Sequence, residues 1–584
     1  MDRITKNLME SFLQEYELES EGEACDFEKF SNYCIISHEH SETFKIDEVT
    51  VGSSNDTGLD GIAIIVNGRI VNSIEEVDDL STLNGYIEAK FIFIQSKTSS
   101  RFESGDMLKF FEGVFDFFEE EPTLSRNKQV SHKAKIAQHI YSLPRLMSRG
   151  RPICKLYYVT TGKWHNNDTN LVKRIDSKQA KLLETENFEQ VYIYPLGSNE
   201  IRKLYQSTIL TIATDIIFER RIVLPQITGI SESYIGILPF PEYKKLIIDE
   251  FDNIRLSIFY DNVRAFQTYN DVNTKIKNTI ESGNIDRFAV LNNGTTIIAK
   301  SLDTVGNKFT IRDYQIVNGC QTSHVIYDCR NTSGIEDLHI PVKIIVAEDE
   351  VISDIILATN SQTPVKKEEL EALSEFQKKL ENYYNSFDSS QEGRLYYERR
   401  SKQYNSRAEV PKSRIITVKD QIKTFAAMFL EQPHKVGQIY QNLFKDIGTK
   451  IFHENHQPVA YYTSSLAYYK LENLLNSRGK NKLDSKFKKY KYHLLMIFRY
   501  LVVGYKTPNI NKDKEINSYC KKINSILCSK TKWKKYFEKS AHLLEEFCDN
   551  LGYDMGNRDK IFSQEFVKQL QQKLEQELVE NESK

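Results

Sequence analysis

A short apolar strand that opens on an aspartate, and a longer one that closes on glutamine and lysine, constrain this chain more than any other feature. Asp60-Gly61 leads into Ile62 to Val66, Asn67-Gly68 is a strong hairpin signal, and Ile87 to Lys97 reads as a second strand rich in Phe and Ile. Side chains alternate along a strand, so Gln95 and Lys97 share one face, at the end that meets Asp60. A carboxylate, an amide oxygen and an ammonium converging there suit hydrolysis of a phosphodiester. Oxygens of Asp60, Gln95 and the phosphate can hold one hard Mg²⁺ (or Mn²⁺) ion, while Lys97 meets the attacking water and the developing charge. An apolar helix carrying Met107, Leu108, Phe110, Phe111, Val114, Phe115 and Phe118 follows directly.

Two rivals are written into the same stretch. Asp56 is a loop carboxylate of similar chemistry, but Asp60 abuts the strand that would hold it rigid. Glu88-Ala89-Lys90 is a literal ExK triplet, and a carboxylate is the better Mg²⁺ ligand. In a regular strand Glu88 and Lys90 face away from Gln95 and Lys97, so only one pair can look at Asp60. The position of Gln95 and Lys97 at the strand end, before the Thr98-Ser99-Ser100 loop, favours them.

The chain has 584 residues, enough for two to four domains, with 40% hydrophobic and 27% charged residues, which suits a soluble globular protein. No apolar run is long enough to span a membrane, and Met1 to Lys6 has no leader-like apolar core, so a cytoplasmic, non-membrane protein is expected. Eight cysteines without a CxxC pair suggest reduced thiols rather than a zinc site or a disulfide framework. A net charge of -3 excludes a globally basic nucleic-acid binder, yet the charge is uneven. From Pro122 to Asn167 there is no Asp or Glu, while Arg126, Lys128, Lys133, Lys135, Arg145, Arg149, Arg151, Lys155 and Lys163 occur. A second stretch, Arg478 to Lys491, interleaves lysines with Phe487 and Tyr490. Either could track a phosphate backbone, and solvated faces are the plainer alternative. Adjacency to the candidate site favours Arg126, Lys128, Lys133 and Lys135 as nucleic-acid contacts.

The pattern divides the chain into an α/β unit over residues 1–218, a central α/β unit over 219–350 and a mostly helical region over 351–584. The first unit opens with a helix near Asp26 to Ile36 and adds strands at Ile153 to Thr160 and Val191 to Tyr194. The second is expected to alternate strands and helices, with strands at Phe288 to Leu291, Tyr314 to Val317 and Ile340 to Val346. Helices are expected at Lys366 to Tyr384, Thr417 to Leu430, Ala460 to Leu475, Tyr490 to Gly504, Glu515 to Leu527, Lys532 to Leu551 and Gln564 to Lys584.

Asp60-Gly61, the hairpin, Gln95-Ser96-Lys97-Thr98-Ser99 and the Phe-rich helix resemble the restriction-endonuclease-like fold of the PD-(D/E)XK superfamily, in its variant with Gln for Glu. Asn262-Val263-Arg264, Asn292-Asn293-Gly294-Thr295-Thr296, Gln315 to Thr322 and Thr359-Asn360-Ser361-Gln362 resemble the abortive infection phage resistance (AIPR) family, over roughly residues 25 to 475. The first resemblance implies a mixed sheet flanked by helices, and places the amide and lysine at Gln95 and Lys97. Such folds often add a glutamate from the first helix; Glu28 is the candidate by position, with a plain surface glutamate as the alternative. The second resemblance implies a central AIPR-type domain and a role in bacterial defence against phage.

In the central unit, two Asn-Gly pairs continued by hydroxyl residues form loops rich in donors and acceptors, the second at the start of a helix from Gln321 to Asp328. Asn293, Asn318 and Gln321 are therefore candidates for a pocket that takes a nucleotide or a phage-derived effector, against ordinary turns, and Arg264, which fits the AIPR pattern, could pair with a phosphate there or elsewhere. The resulting expectation is a Mg²⁺-dependent endonuclease acting in phage defence, with DNA favoured over RNA and a homo-oligomer compatible with the sequence. The alternative is a nucleotide- or nucleic-acid-binding sensor whose nuclease fold is silent.

Overall fold

The computed structural model describes residues 1–52, 55–165, 168–209, 212–249, 252–259, 271–347, 351, 352, 355, 375–388, 391–399, 403–405, 407, 409–437, 443, 450–476, 482–553, 555 and 558–582. The chain divides into two compact units. One comprises Met1–Leu13, Ser20–Lys366 and Arg400–Ala408, and so contains both expected α/β parts; the other comprises Gln14–Glu19, Lys367–Arg399 and Glu409–Lys584.

The first unit holds two sheets. In the first, β1 (Gly61–Val66), β2 (Arg69–Ile70), β3 (Ala89–Lys97), β4 (Ile153–Thr160) and β5 (Gln190–Leu196) lie in the order β2-β1-β3-β4-β5. Asn67 and Gly68 both take positive φ, 50° and 81°, the backbone that a tight two-residue hairpin demands. The return strand β2 is brief, however, and a helix, α3 (Ile74–Asn84), intervenes before β3, an insertion the sequence reading did not foresee. β3 still lies antiparallel beside β1, with Gly61 opposite Ile94. β3, β4 and β5 run parallel, joined through α4 (Ser104–Phe118), α5 (Lys128–Tyr141) and α6 (Thr169–Glu184).

Every residue of β1 is buried, because helices cover both faces of the sheet. α2 (Glu23–Glu39) and α7 (Ser198–Ile209) take one face and meet through Phe30 and Tyr205, whose rings lie 5.1 Å apart. On the other, α4 presents Phe117 to Phe93 at 5.0 Å and Phe118 to Phe91 at 5.2 Å. The opening helix is longer than expected and is preceded by α1 (Arg3–Glu15).

The second sheet has the order β6-β10-β9-β11-β8-β7: β6 (Ala213–Ile217), β7 (Arg220–Val223), β8 (Ile230–Pro239), β9 (Thr295–Val305), β10 (Lys308–Asn318) and β11 (His339–Ala347). β6 thus pairs in this sheet although its residues precede 219. The pattern here is largely antiparallel rather than an alternation of strands and helices, with β9 and β11 parallel. Helices α8 (Phe240–Ile247), α9 (Asp271–Glu281) and α11 (Cys320–Asp328) contribute to its apolar core, which includes Tyr243, Phe288, Phe309 and Tyr314. Phe288–Leu291, expected as a strand, is a short helix, α10. Periodicity cannot distinguish the two in so short an apolar run. Asn292 closes it, its backbone and side-chain N–H groups both donating to the Phe288 carbonyl at 3.1 Å.

The other unit is mostly helical, as expected. Its longer helices include Glu375–Asn385, Val418–Met428, Pro458–Asn476, Lys491–Val503, Asp513–Leu527, Lys532–Asn550 and Gln564–Glu582, at or within a few residues of the sequence-based ranges except at the first, where 366–374 of the expected helix lie outside the described residues. Stacked pairs such as Phe425 with Tyr461, 4.0 Å apart, fill its core. Phe487 and Tyr490 belong to that core, Lys486 pairs with Glu545 and Lys491 with Glu472, so this basic stretch offers no exposed aromatic stacking surface at those rings. Among the described residues no helix is long and apolar enough to cross a membrane, and none of the eight cysteines is in a disulfide.

A buried ionic cluster ties α2 to the first sheet. Glu39 Oε1 accepts from Lys155 Nζ at 2.7 Å and from the Tyr157 hydroxyl at 2.6 Å, and its Oε2 accepts from Lys90 Nζ at 3.0 Å. These bonds and the two ammonium charges hold the Glu39 carboxyl well below its ordinary range, against the opposing effect of burial. Removing one partner of such a group leaves a buried charge uncompensated. Glu39→Gln should therefore cost about 3–5 kcal/mol in denaturant unfolding, and adding Lys155→Met should recover much of that loss. Equal stability of parent and Glu39→Gln would remove the cluster's structural role.

Candidate active site

Asp60 stands immediately before β1, and the backbone fixes its carboxylate. The Ser96 amide donates to Asp60 Oδ2 at 2.6 Å, while the Asp60 amide donates to the Ile94 carbonyl at 2.9 Å. Behind it, Asn32 of α2 donates Nδ2 to the Asp60 carbonyl at 3.1 Å and to Thr50 Oγ1 at 3.2 Å. The glycine at 61 has a steric cause: a Cβ there would lie 2.3 Å from Asn32 Oδ1. Asn32, which the sequence reading missed, sits one helical turn from Glu28 on α2, a spacing that could have drawn notice.

Gln95 and Lys97 complete the constellation from β3. With the Gln95 amide oriented to satisfy both ends, Nε2 donates to the Gly58 carbonyl at 2.8 Å and Oε1 accepts from Lys97 Nζ at 2.9 Å. The opposite orientation sets acceptor against acceptor and donor against donor. Asp56 is engaged in its own turn, its Oδ1 accepting from the Gly58 amide at 2.8 Å. The rival triplet points elsewhere: Lys90 binds Glu39 on the α2 side, and Glu88 precedes β3.

Glu28 joins this group. A Cβ added at Gly52 would lie 2.6 Å from Glu28 Oε2 and 3.5 Å from Asp60 Cα, which sets the carboxylate beside the Asp60 backbone. Desolvation, then the charges of Asp60 and Asp56, push the Glu28 carboxyl up to about 7, against the opposing pull of Lys97. Asp60 is 3% exposed, and burial raises its carboxyl to about 6 in spite of the Ser96 amide and Lys97. Tyr158, the register partner of Gln95 on β4, is fully buried nearby, and its hydroxyl makes no hydrogen bond.

Among the described residues no group of three or more His, Cys, Asp or Glu is arranged to hold a metal. Here the donor set is two carboxylates and an amide oxygen. All are hard oxygen donors, and crowding and burial of the acids leave a deficit of positive charge that a divalent cation would relieve.

The expected nucleic-acid contacts divide. Lys128 and Lys135 are exposed on α5. Lys133 is not: it is buried, donates to Asn72 Oδ1 at 2.6 Å, and has its ammonium pushed down to about 8 by desolvation. Arg126 is also turned inward, donating Nε to Asp116 Oδ2 at 3.0 Å with 7% of its side chain exposed. Both cations serve the fold where the sequence reading placed them on phosphate.

In the central sheet, Asn318 pairs with Thr296, so the loops carrying Asn293 and Asn318 lie at one end of the β9–β10 pair. Asn293 is exposed, whereas Gln321 Oε1 accepts from Asn273 Nδ2 at 2.6 Å. Ser323 shares a hydrogen bond of 2.7 Å with Tyr243 and donates to the Gly319 carbonyl at 2.8 Å. Several polar groups of the second constellation are thus satisfied internally. Arg264, with the rest of the Asn262-Val263-Arg264 block, and the Thr359 to Gln362 block lie outside the described residues.

The raised carboxyl values give a pH test. Glu28 and Asp60 keep protons in the folded state at pH values where the unfolded chain has released them, so folding stability falls as pH rises from about 4 to about 7. Asp60→Asn should flatten that fall, and at pH 8 should stabilise the metal-free protein by on the order of 1–3 kcal/mol. Thermal unfolding at pH 5 and pH 8 in EDTA measures it; a parallel drop in parent and variant would contradict the assignment.

Comparison with known proteins bears on another part of the chain. No curated protein and no solved structure matches it. Residues 259–541 match the family model described as AIPR protein, which supports the AIPR resemblance over β9 to β11 of the central sheet and much of the helical region.

Proposed function

We propose that the chain is a metal-dependent endonuclease of anti-phage defence, with Asp60, Gln95, Lys97 and Glu28 as its active site on a restriction-endonuclease-like sheet. The match to the AIPR family supports the defence context. The observation that carries the chemistry is the convergence of Gln95 Oε1 and Lys97 Nζ, 2.9 Å apart, beside two carboxylates whose proton affinity is raised. Such perturbed acids with a lysine are characteristic of catalytic sites.

Asp60 and Gln95 are the residues that would hold the cation, Mg²⁺ or Mn²⁺. When bound, the ion supplies Lewis acidity towards a phosphate oxygen and a water. Asp60 is held in place by the Ser96 amide and by Asn32, so its free oxygen needs little reorganisation. Lys97 orients the attacking water and donates N–H to the charge that grows on the phosphoryl oxygens. Glu28, raised to about 7, is suited to take the proton that the water loses as its oxygen bonds to phosphorus and the ester P–O bond breaks. Lys128 and Lys135 offer exposed charge to the nucleic-acid backbone.

Lys97→Ala and Asp60→Asn should each lower metal-dependent cleavage at least about 100-fold while the protein stays folded. Gln95→Glu should keep activity and Gln95→Ala should lose it, since only the first retains an oxygen ligand. The assay is purified protein with duplex DNA, single-stranded DNA and RNA in Mg²⁺, Mn²⁺ or EDTA. Near-parental cleavage by Lys97→Ala, or cleavage in EDTA, would overturn the proposal.

Exchanging Lys128 and Lys135 together for Gln should weaken binding for all sequences and flatten the log–log salt slope by about two units on duplex. Lys133→Gln should act instead on stability, seen as a lower melting temperature. An unchanged slope in the double variant would return α5 to a solvated face.

A further inference from the structure

Two loops leave the carboxyl ends of β3 and β4 side by side, and each carries a cation followed by an aromatic residue. Arg101-Phe102 comes four residues after Lys97, and Lys163-Trp164 comes three residues after Thr160, the register partner of Lys97. The loops are fastened together: the Thr161 amide donates to the Ser99 carbonyl at 3.1 Å, and Thr161 Oγ1 donates to the Thr98 carbonyl at 2.9 Å. Gly162 packs so closely that a Cβ there would lie 2.1 Å from the Ser100 carbonyl oxygen. The rings of Phe102 and Trp164 meet edge to face at 5.0 Å, and Phe102 leans on Tyr158 at 6.1 Å. Arg101, Lys163 and His165 are exposed, and the residues Phe102 and Trp164 are half-buried. The carboxyl ends of parallel strands are where sheets of this kind place their ligands.

From this juxtaposition we infer that Trp164, braced by Phe102 and flanked by Arg101 and Lys163, is a stacking platform for an unpaired base of a single-stranded nucleic acid entering the candidate active site. The inference rests on the nuclease reading for the reaction, and adds the substrate class. A purine or pyrimidine face packs on the indole, while the two exposed cations take the flanking phosphates. A base within an intact duplex keeps its faces against its neighbours, so only a single strand or a locally opened duplex can use the platform.

The chain has two tryptophans, and Trp533 is 7% exposed within the helical core. Trp533→Phe therefore leaves Trp164 as the sole reporter. Titrating this variant in EDTA with oligothymidylate should quench its fluorescence saturably, and the same length of duplex should quench it little. Trp164→Ala should weaken single-strand binding roughly 5- to 100-fold and Trp164→Phe far less. Arg101→Gln with Lys163→Gln, both at exposed positions, should keep the quench and reduce the log–log salt slope by about 1.4 units. Equal quenching by duplex, or no quenching together with parental single-strand binding by Trp164→Ala, would overturn the platform even where Lys97-dependent cleavage stands. Selective quenching by single strands without cleavage in any metal would uphold the platform and sink the nuclease reading.

Discussion

Everything proposed for the first sheet depends on the antiparallel seating of β1 against β3. Gly61 faces Ile94, and that register carries Asp60 to the Ser96 amide at the end of the neighbouring strand. A slip of one residue would turn Gln95 and Lys97 to the α2 side and bring Lys90 to the α4 side. It would also take Lys90 from Glu39. Two ionic arrangements on opposite faces of one strand therefore reject the same error, which burial cannot do here, since β1 is apolar and buried on both faces.

The two arrangements treat charge in contrary ways. Around Glu39, one carboxylate meets two ammonium groups and a phenol, so the anion is stabilised although it is buried. Around Asp60, burial and the crowding of Asp60, Glu28 and Asp56 outweigh the pull of Lys97 and Lys29, and the acids hold their protons towards neutral pH. The first arrangement is that of a structural element. The second retains electrostatic stress of the kind found at functional sites, which a bound cation would relieve.

Much of this was legible in the sequence because it rests on local rules. Strand parity separates Lys90 from Gln95 and Lys97, Asn67-Gly68 needs its turn, and the helices of the other unit show their apolar stripes. What was hidden depends on partners far along the chain. Nothing near Arg126 announces Asp116, and nothing in residues 213–217 tells that β6 pairs with β10. Lys133 is a different case: Val130, Lys133, Ala134, Ala137 and Ile140 follow the spacing of one helical face, so its burial was written in the periodicity that the run of positive charge obscured. The bracing of Trp164 by Phe102 likewise appears only once β3 and β4 lie parallel and their loops meet.

Helix α2 has a property that follows from its contacts at both ends. Glu28 serves the candidate site and Glu39 the buried cluster, and eleven residues of α-helix make about three turns, so both carboxylates leave the helix on nearly the same side, about 16 Å apart. Inserting or deleting one residue between them would swing one end by about 100° relative to the other and move it about 1.5 Å along the axis. No side-chain exchange elsewhere restores both positions. The segment from Glu28 to Glu39 can thus vary in composition, within the limits of packing, but its length is fixed as a ruler's is, and a change of length anywhere along it is felt at the candidate site.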